Sequence, residues 1–220
     1  VVRLSNYEPN YDTVSFGEGW REMRMRTCQE DFVDQIKKLL SDRERKTIDH
    51  PSLARAAVLA PLFNKEGSCH LLFTKRTDQV KYHKGEISFP GGMLDEEDLS
   101  LERTALREAF EEIGLQEKDV QLIGSLDDII TTTQFIVTPF VGFFRYPYPF
   151  KTSPVEIAEL IEVPLSFLLD RENFAEYEIT RMGRKDVVYA YKYKEHTIWG
   201  ATARILKQFL DLIQGVETAL

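Results

Sequence analysis

The run from Phe89 to Leu115, FPGGMLDEEDLSLERTALREAFEEIGL, limits what this chain can fold into more than any other stretch. From Ser100 onward Leu106, Ala109, Phe110 and Ile113 recur at helical spacing, and Gly114 supplies a stop. Ser100 is suited to the N-cap, where its hydroxyl accepts from a free N–H of the first turn. At about 100° per residue, Glu108, Glu111 and Glu112 gather opposite the apolar residues. The spacing thus predicts a helix with one buried side and carboxylates on the other.

A bare Arg-Glu-Ala-Phe-Glu-Glu string is ordinarily a solvated helix face, and two features argue for more. Arg107 stands four residues before Glu111 and can hold that carboxylate while Glu108 and Glu112 stay free. Just upstream, Pro90-Gly91-Gly92 predicts a turn whose backbone carbonyls approach a ligand unhindered by side chains. Oxygen donors from a helix and a loop suit a hard cation such as Mg²⁺ or Mn²⁺, which also takes phosphate oxygens.

Composition narrows the class. The chain has 220 residues, 43% hydrophobic and 29% charged, as expected of a globular protein with a real core. No apolar run approaches the ~20 residues of a membrane span. The net charge of −8 argues against nucleic acid as partner and requires local basic residues or metal for a phosphorylated substrate. Cys28 and Cys69 lack metal-ligand spacing and are expected to be reduced thiols in the cytoplasm. An organellar address stays open, because the chain starts at Val1 without a methionine.

Residues 1–50 read as an N-terminal extension, and 51–220 as the main domain. Within the extension, Thr27-Cys28-Gln29-Glu30 has capping-box spacing, followed by Phe32, Val33, Ile36, Leu39 and Leu40 on one face. That pattern predicts a docking helix without chemistry. Ser41 to Pro51 is polar and reads as a linker. Ala56 to Phe63 is an apolar strand, with His70 to Thr74 as its hairpin partner. Further strands are expected at Val120 to Ile123, Phe135 to Phe144 and Asp186 to Tyr193, with a final amphipathic helix from Ile198 to Gln214. Asp127 to Thr133 is a polar segment expected at a pocket mouth. His50, His70 and His196 share no spacing and read as loop or strand residues rather than ligands.

Lys75, Arg76, Lys81 and Lys84 fall within ten residues, offset by Asp78, and lead into Pro90-Gly91-Gly92. In an acidic chain this is where polyanion-binding charge belongs.

Arg107-Glu108-Ala109-Phe110-Glu111-Glu112-Ile113-Gly114-Leu115 resembles the second half of the Nudix box. In the first half, counting from Gly92, the acidic position is Asp98, with eight residues rather than seven before Arg107. Leu72-Phe73-Thr74-Lys75-Arg76-Thr77, then Lys81, Gly85 and Phe89-Pro90-Gly91-Gly92, is similar to the signature of the coenzyme A pyrophosphatase branch. Phe73, Thr77 and Lys81 depart from it; Lys81 keeps the charge without the guanidinium fork. The extra residue before Arg107 is typical of that branch.

The resemblance implies the Nudix fold, an α/β arrangement with a mixed sheet sandwiched between helices. It implies metal-assisted hydrolysis of a pyrophosphate, with coenzyme A or its thioesters cut to 4′-phosphopantetheine and adenosine 3′,5′-bisphosphate. Glu108, Glu112 and the Gly91 carbonyl would hold Mg²⁺ or Mn²⁺, Glu111 would be a ligand or general base, and Arg107 would orient the glutamates. Arg76, Lys81, Lys84 and Gly92 would bind substrate. The base stays open among Glu111, Glu156 and a loop acid. The partner would be a small molecule rather than nucleic acid or membrane, and a homodimer is compatible with it. A Nudix enzyme for ADP-ribose, a dinucleotide or a nucleoside triphosphate stays open, as does a non-catalytic binding module.

Overall fold

The computed structural model describes residues 30–79, 83–181 and 184–217, so the Thr27 to Gln29 part of the expected capping box lies outside it. Its first element, α1 (Glu30–Asp42), buries Val33, Ile36 and Leu40, as the stripe predicts. Leu40 sits so close to Gly124 that a Cβ there would meet the Leu40 Cβ at 2.6 Å. Docking of α1 therefore depends on that glycine.

The strand β1 (Ala54–Lys65) is the centre of the molecule. Its apolar run is continuous because both faces are covered. Ala57, Leu59 and Phe63 join one core, and Ala56, Ala60 and Leu62 join the other, as a period of two requires. A hairpin leads to β2 (Ser68–Arg76). After it come β3 (Ile87–Ser88), β4 (Gly91–Met93) and the helix α2 (Leu101–Ile113). β5 (Val120–Ser125), β6 (Ile129–Ile130) and β7 (Phe135–Phe144) follow, and β7 runs parallel to β1 from Ala54 opposite Phe135 to Phe63 opposite Phe144. The first sheet ends with β8 (Ile157–Pro164), antiparallel to β2. The path β3-β2-β1-β7-β5 is thus mixed, with β4, β6 and β8 attached beside it.

One feature of the pairing positions the site. β1 pairs with β2 only from Leu62 to Lys65, and its earlier residues Ala56 to Val58 pair with β4 instead. The far end of β2, at Thr74 and Lys75, pairs with β3. The two strands therefore diverge into a fork, bridged by Phe89-Pro90 between β3 and β4. The expected Pro-Gly-Gly turn is this bridge, and its glycines belong to a short strand rather than to a loop.

Beyond α3 (Leu165–Leu169), β9 (Phe174–Arg181), β10 (Arg184–Tyr193) and β11 (His196–Trp199) form a second, antiparallel sheet, followed by α4 (Gly200–Glu217). The sequence showed β10 and most of α4 but neither β9 nor β11, whose pairing is entirely with β10. α1 and α4 cover one core with Ile36, Leu206 and Phe209, while α2 covers the other with Ala105, Ala109 and Ile113.

Three expectations need correction. Residues 43–48 are docked rather than a linker: Arg43 pairs with Asp127 at 2.7 Å, Arg45 with Asp128 at 2.6 Å, and the Ile48 N–H donates to Asp128. Asp128 accordingly faces inward instead of lining a pocket mouth. Burial pushes its carboxyl up, but the Thr138 hydroxyl, the Ile48 N–H and Arg45 outweigh this and hold it below its usual value. Cys69 is disulfide-bonded rather than a reduced thiol; the chain's only other cysteine, Cys28, lies outside the described residues. Composition counts charges and thiols but does not say which distant segments the fold brings together. No helix among the described residues is long and apolar enough to cross a membrane.

Candidate active site

The boundaries of α2 are those its sequence dictates. The Ser100 hydroxyl accepts from the Arg103 N–H at 3.3 Å, and Gly114 ends the helix at φ 71°, where its N–H reaches the Phe110 carbonyl. The helix packs on β1 and β4, across the fork.

Its rotation differs from the pattern of polarity. Glu112 is only 4% exposed and Phe110 is 55% exposed, so the glutamate has taken the inner place expected of the phenylalanine. The buried positions are Thr104, Ala105, Leu106, Ala109, Glu112 and Ile113. A helix turned to bury Phe110 would withdraw Glu112 from the fork.

Glu112 meets Arg76, the last residue of β2, with Nη1 at 3.4 Å from its Oε1. Its other oxygen, Oε2, is buried and has no hydrogen-bond partner, and neither has Arg76 Nε. Burial pushes the Glu112 carboxyl up to about 8; Arg76 opposes this, while Glu108 and Glu156 add repulsion. Glu108 is raised too, first by burial, against the nearby Arg107, with Glu111 and Glu156 adding to the effect. Glu156, just before β8, is therefore a fourth carboxylate felt at both positions.

Arg107 organises the outer side. Its Nη1 donates to Glu108 at 2.8 Å and to Glu111 at 3.1 Å, while Nη2 donates to the Met93 carbonyl at 3.1 Å and to Asp98 at 2.9 Å. Nε adds a further bond to Asp98 at 3.1 Å. Arg107 holds the Asp98 carboxyl down to about 2, with help from the Asp95 backbone and the Thr104 hydroxyl. The expected Arg107–Glu111 pair is present. The expectation that Glu108 and Glu112 stay free of cations is corrected: Arg107 holds the first and Arg76 the second.

The two glycines fit against this helix for different reasons. A Cβ on Gly91 would lie 2.4 Å from the Ala57 carbonyl oxygen, in β1 itself. One on Gly92 would lie 2.3 Å from Glu108 Oε1. Both requirements come from close approach and not from unusual dihedrals.

The structure therefore brings together Gly91, Gly92, Arg107, Glu108, Glu111, Glu112 and Arg76. Lys84 is exposed in the turn before β3, and Lys81 lies outside the described residues. Sequence reasoning missed the Arg76–Glu112 contact and the Met93 carbonyl as an Arg107 acceptor, since neither has a local signal. An orphaned buried carboxylate oxygen, a neighbouring carboxylate and a strand trimmed to glycine make an all-oxygen cradle that fits a hard divalent cation.

The NUDIX domain family matches residues 53–181. The chain is 35% identical over 184 residues to an uncharacterized Nudix hydrolase NudL of Photorhabdus laumondii, covering 84% of this chain and 97% of the relative. It is 33% identical over 188 residues to an uncharacterized Nudix hydrolase NudL of Escherichia coli strain SMS-3-5, covering 86% and 95%. Among solved structures, a MutT protein from Methanosarcina mazei Go1 aligns at TM-score 0.46 and 16% identity, over 80% of this chain and 97% of that one.

Proposed function

Since the chain belongs to the Nudix family and is a Nudix hydrolase, we propose that it cleaves the pyrophosphate of coenzyme A or an acyl-CoA, releasing 4′-phosphopantetheine and adenosine 3′,5′-bisphosphate. The observation that carries this reading is the contact of Arg76 with Glu112 at 3.4 Å. It brings Arg76, from the start of the basic run, to the carboxylate helix, so that this cation and the acidic cradle would face one substrate.

In this reading Glu108, Glu112 and the Gly91 carbonyl hold Mg²⁺ or Mn²⁺, with Glu111 beside them. The bound cation would neutralise pyrophosphate charge and acidify water. The protein's own groups do the rest. Arg107, fixed by Asp98 and the Met93 carbonyl, sets the Glu108 and Glu111 carboxylates. Arg76 offsets charge at Glu112 and lies ready for a phosphate oxygen. Glu111 is held by Arg107, whereas Glu156 has no ion-pair partner among the described residues; we assign Glu156 as the base that takes the proton of the attacking water. Water adds to one phosphorus as the bridging P–O bond breaks, and the bridging oxygen leaves with the other phosphoryl group. Lys81 and Lys84 supply charge for the 3′-phosphate.

The test is a substrate panel with Mg²⁺: CoA, dephospho-CoA, ADP-ribose and NADH. CoA should give the highest kcat/KM, and Lys84→Ala should lose more on CoA than on dephospho-CoA. A charge-assisted contact of about 1.5–3 kcal/mol corresponds to roughly 10- to 150-fold. Higher kcat/KM on ADP-ribose or NADH would reject the CoA reading and leave the hydrolase.

A further inference from the structure

Away from the carboxylate helix, Glu159, Glu195 and His196 each offer one ligand atom, and the three atoms lie within 4.8 Å of one another. Among the described residues no other such group of three His, Cys, Asp or Glu occurs. We propose that this is a second metal site, for Zn²⁺ or a similar borderline divalent cation, clipping β8 of the first sheet to the β10–β11 turn of the second.

The imidazole is the first argument. His196 is only 6% exposed, and its Nε2 points at both carboxylates, 3.5 Å from Glu159 Oε1 and 3.5 Å from Glu195 Oε1. Both approaches exceed the usual 2.7–3.2 Å hydrogen-bond range. They match something else. Ligands bound at about 2.1 Å in a tetrahedron stand about 3.4 Å apart, so both N···O distances equal the edge of a zinc-sized tetrahedron.

The second argument is how the donors are held. His196 opens β11 directly opposite Tyr193, and the intervening turn has Lys194 at φ 54°. This tight hairpin fixes Glu195 and His196 together. Glu159 comes from β8, where its Oε2 lies 3.8 Å from Lys75 Nζ, so the lysine engages the oxygen turned away from His196. The group borders a cleft of about 300 Å³, which leaves room for water as a fourth ligand. One imidazole and two carboxylates favour Zn²⁺ over Mg²⁺, because nitrogen ligation suits borderline cations.

The experiment uses the full chain in excess Mg²⁺, which occupies the oxygen-only cradle but competes poorly for an imidazole. Zn²⁺ binding is measured by calorimetry, and Co²⁺ binding by its visible absorption. The parent should bind one Zn²⁺ per chain, give a tetrahedral Co²⁺ spectrum and gain thermal stability with Zn²⁺. Glu195→Gln, at a side chain 72% exposed and so indifferent to folding, should weaken Zn²⁺ binding beyond the ~10–100-fold typical of an outer-shell change. His196→Ala and Glu159→Gln should do likewise, while CoA turnover in Mg²⁺ persists in Glu195→Gln. If the parent binds no Zn²⁺ in excess Mg²⁺, or if Glu195→Gln and Glu159→Gln bind it as tightly as the parent, the three groups form an ion cluster and no metal site.

Discussion

Arg76 and Glu112 form a part-buried ion pair at 3.4 Å in which each partner keeps one buried atom without a hydrogen-bond partner. Such a pair is incomplete by itself. Removing two charges from water is repaid only when the remaining lone pairs and protons are also satisfied. Under the proposed function, a cation on the Glu112 side and a phosphate oxygen on the Arg76 side would complete them.

The first prediction concerns Glu112. Its carboxyl rises from an ordinary 4.5 to about 8 through burial, so the folded state binds the proton more tightly than the unfolded chain. In metal-free protein the destabilisation is therefore full above pH ~8 and is relieved as pH falls toward 4.5. Glu112→Gln should be more stable than the parent at pH 9 in EDTA, by on the order of 2–4 kcal/mol, with the gap closing near pH 5. With Mg²⁺ its turnover should drop more than ~100-fold. Parallel stability-versus-pH curves for the two proteins would refute the assignment.

Asp98 has the opposite sign. Arg107 holds its carboxyl at about 2, below the ordinary 3.8, so this stabilisation is present above pH ~4 and disappears as pH falls through 2. Asp98→Asn should cost about 2 kcal/mol at pH 7 in urea unfolding, and nothing near pH 2. Losing this anchor of Arg107 should also reduce kcat by ~10–100-fold. Unchanged kcat would mean that Arg107 needs no help from Asp98.

The neighbouring glycines should separate stability from activity. On Gly91 an added methyl meets the backbone of β1, which cannot yield, and Gly91→Ala should destabilise by about 1–3 kcal/mol. On Gly92 it meets the end of a flexible side chain. Gly92→Ala should thus fold but displace the Glu108 carboxylate, and a misplacement of ~1 Å can lower turnover ~100-fold. Equal melting temperatures for the two variants would contradict this division.

If Glu156 is the base, Glu156→Gln should lower kcat by ~10²–10⁴-fold. KM and Mg²⁺ affinity should change little. An unchanged kcat would assign the proton to another carboxylate, Glu111 first.

The α2 boundaries were legible because Ser100 and Gly114 act locally, on backbone groups within a few residues. The paired strands β1 and β2 were legible for the same reason. The rotation of α2 was not, because polarity assigns Glu112 to water and the fold assigns it to the fork. A glutamate inside and a phenylalanine outside violate the usual preference, and such violations cluster where a protein does chemistry. β9 was missed although Ala175-Glu176-Tyr177-Glu178-Ile179-Thr180 alternates apolar and polar residues as a half-buried strand should. The ion pairs of Arg43 and Arg45 join positions more than eighty residues apart, beyond any periodic signal.

Those two arginines also bear on where this protein can be cut. The family match begins at residue 53, eight positions after Arg45 and five after Ile48. A chain trimmed to that border would retain Asp128, whose side chain is fully buried, but lose both the Arg45 guanidinium and the Ile48 N–H. Only the Thr138 hydroxyl would remain among these partners. The stranded carboxylate would have to take a proton or admit water to the core, so a cut at that border would remove partners on which a buried charge depends.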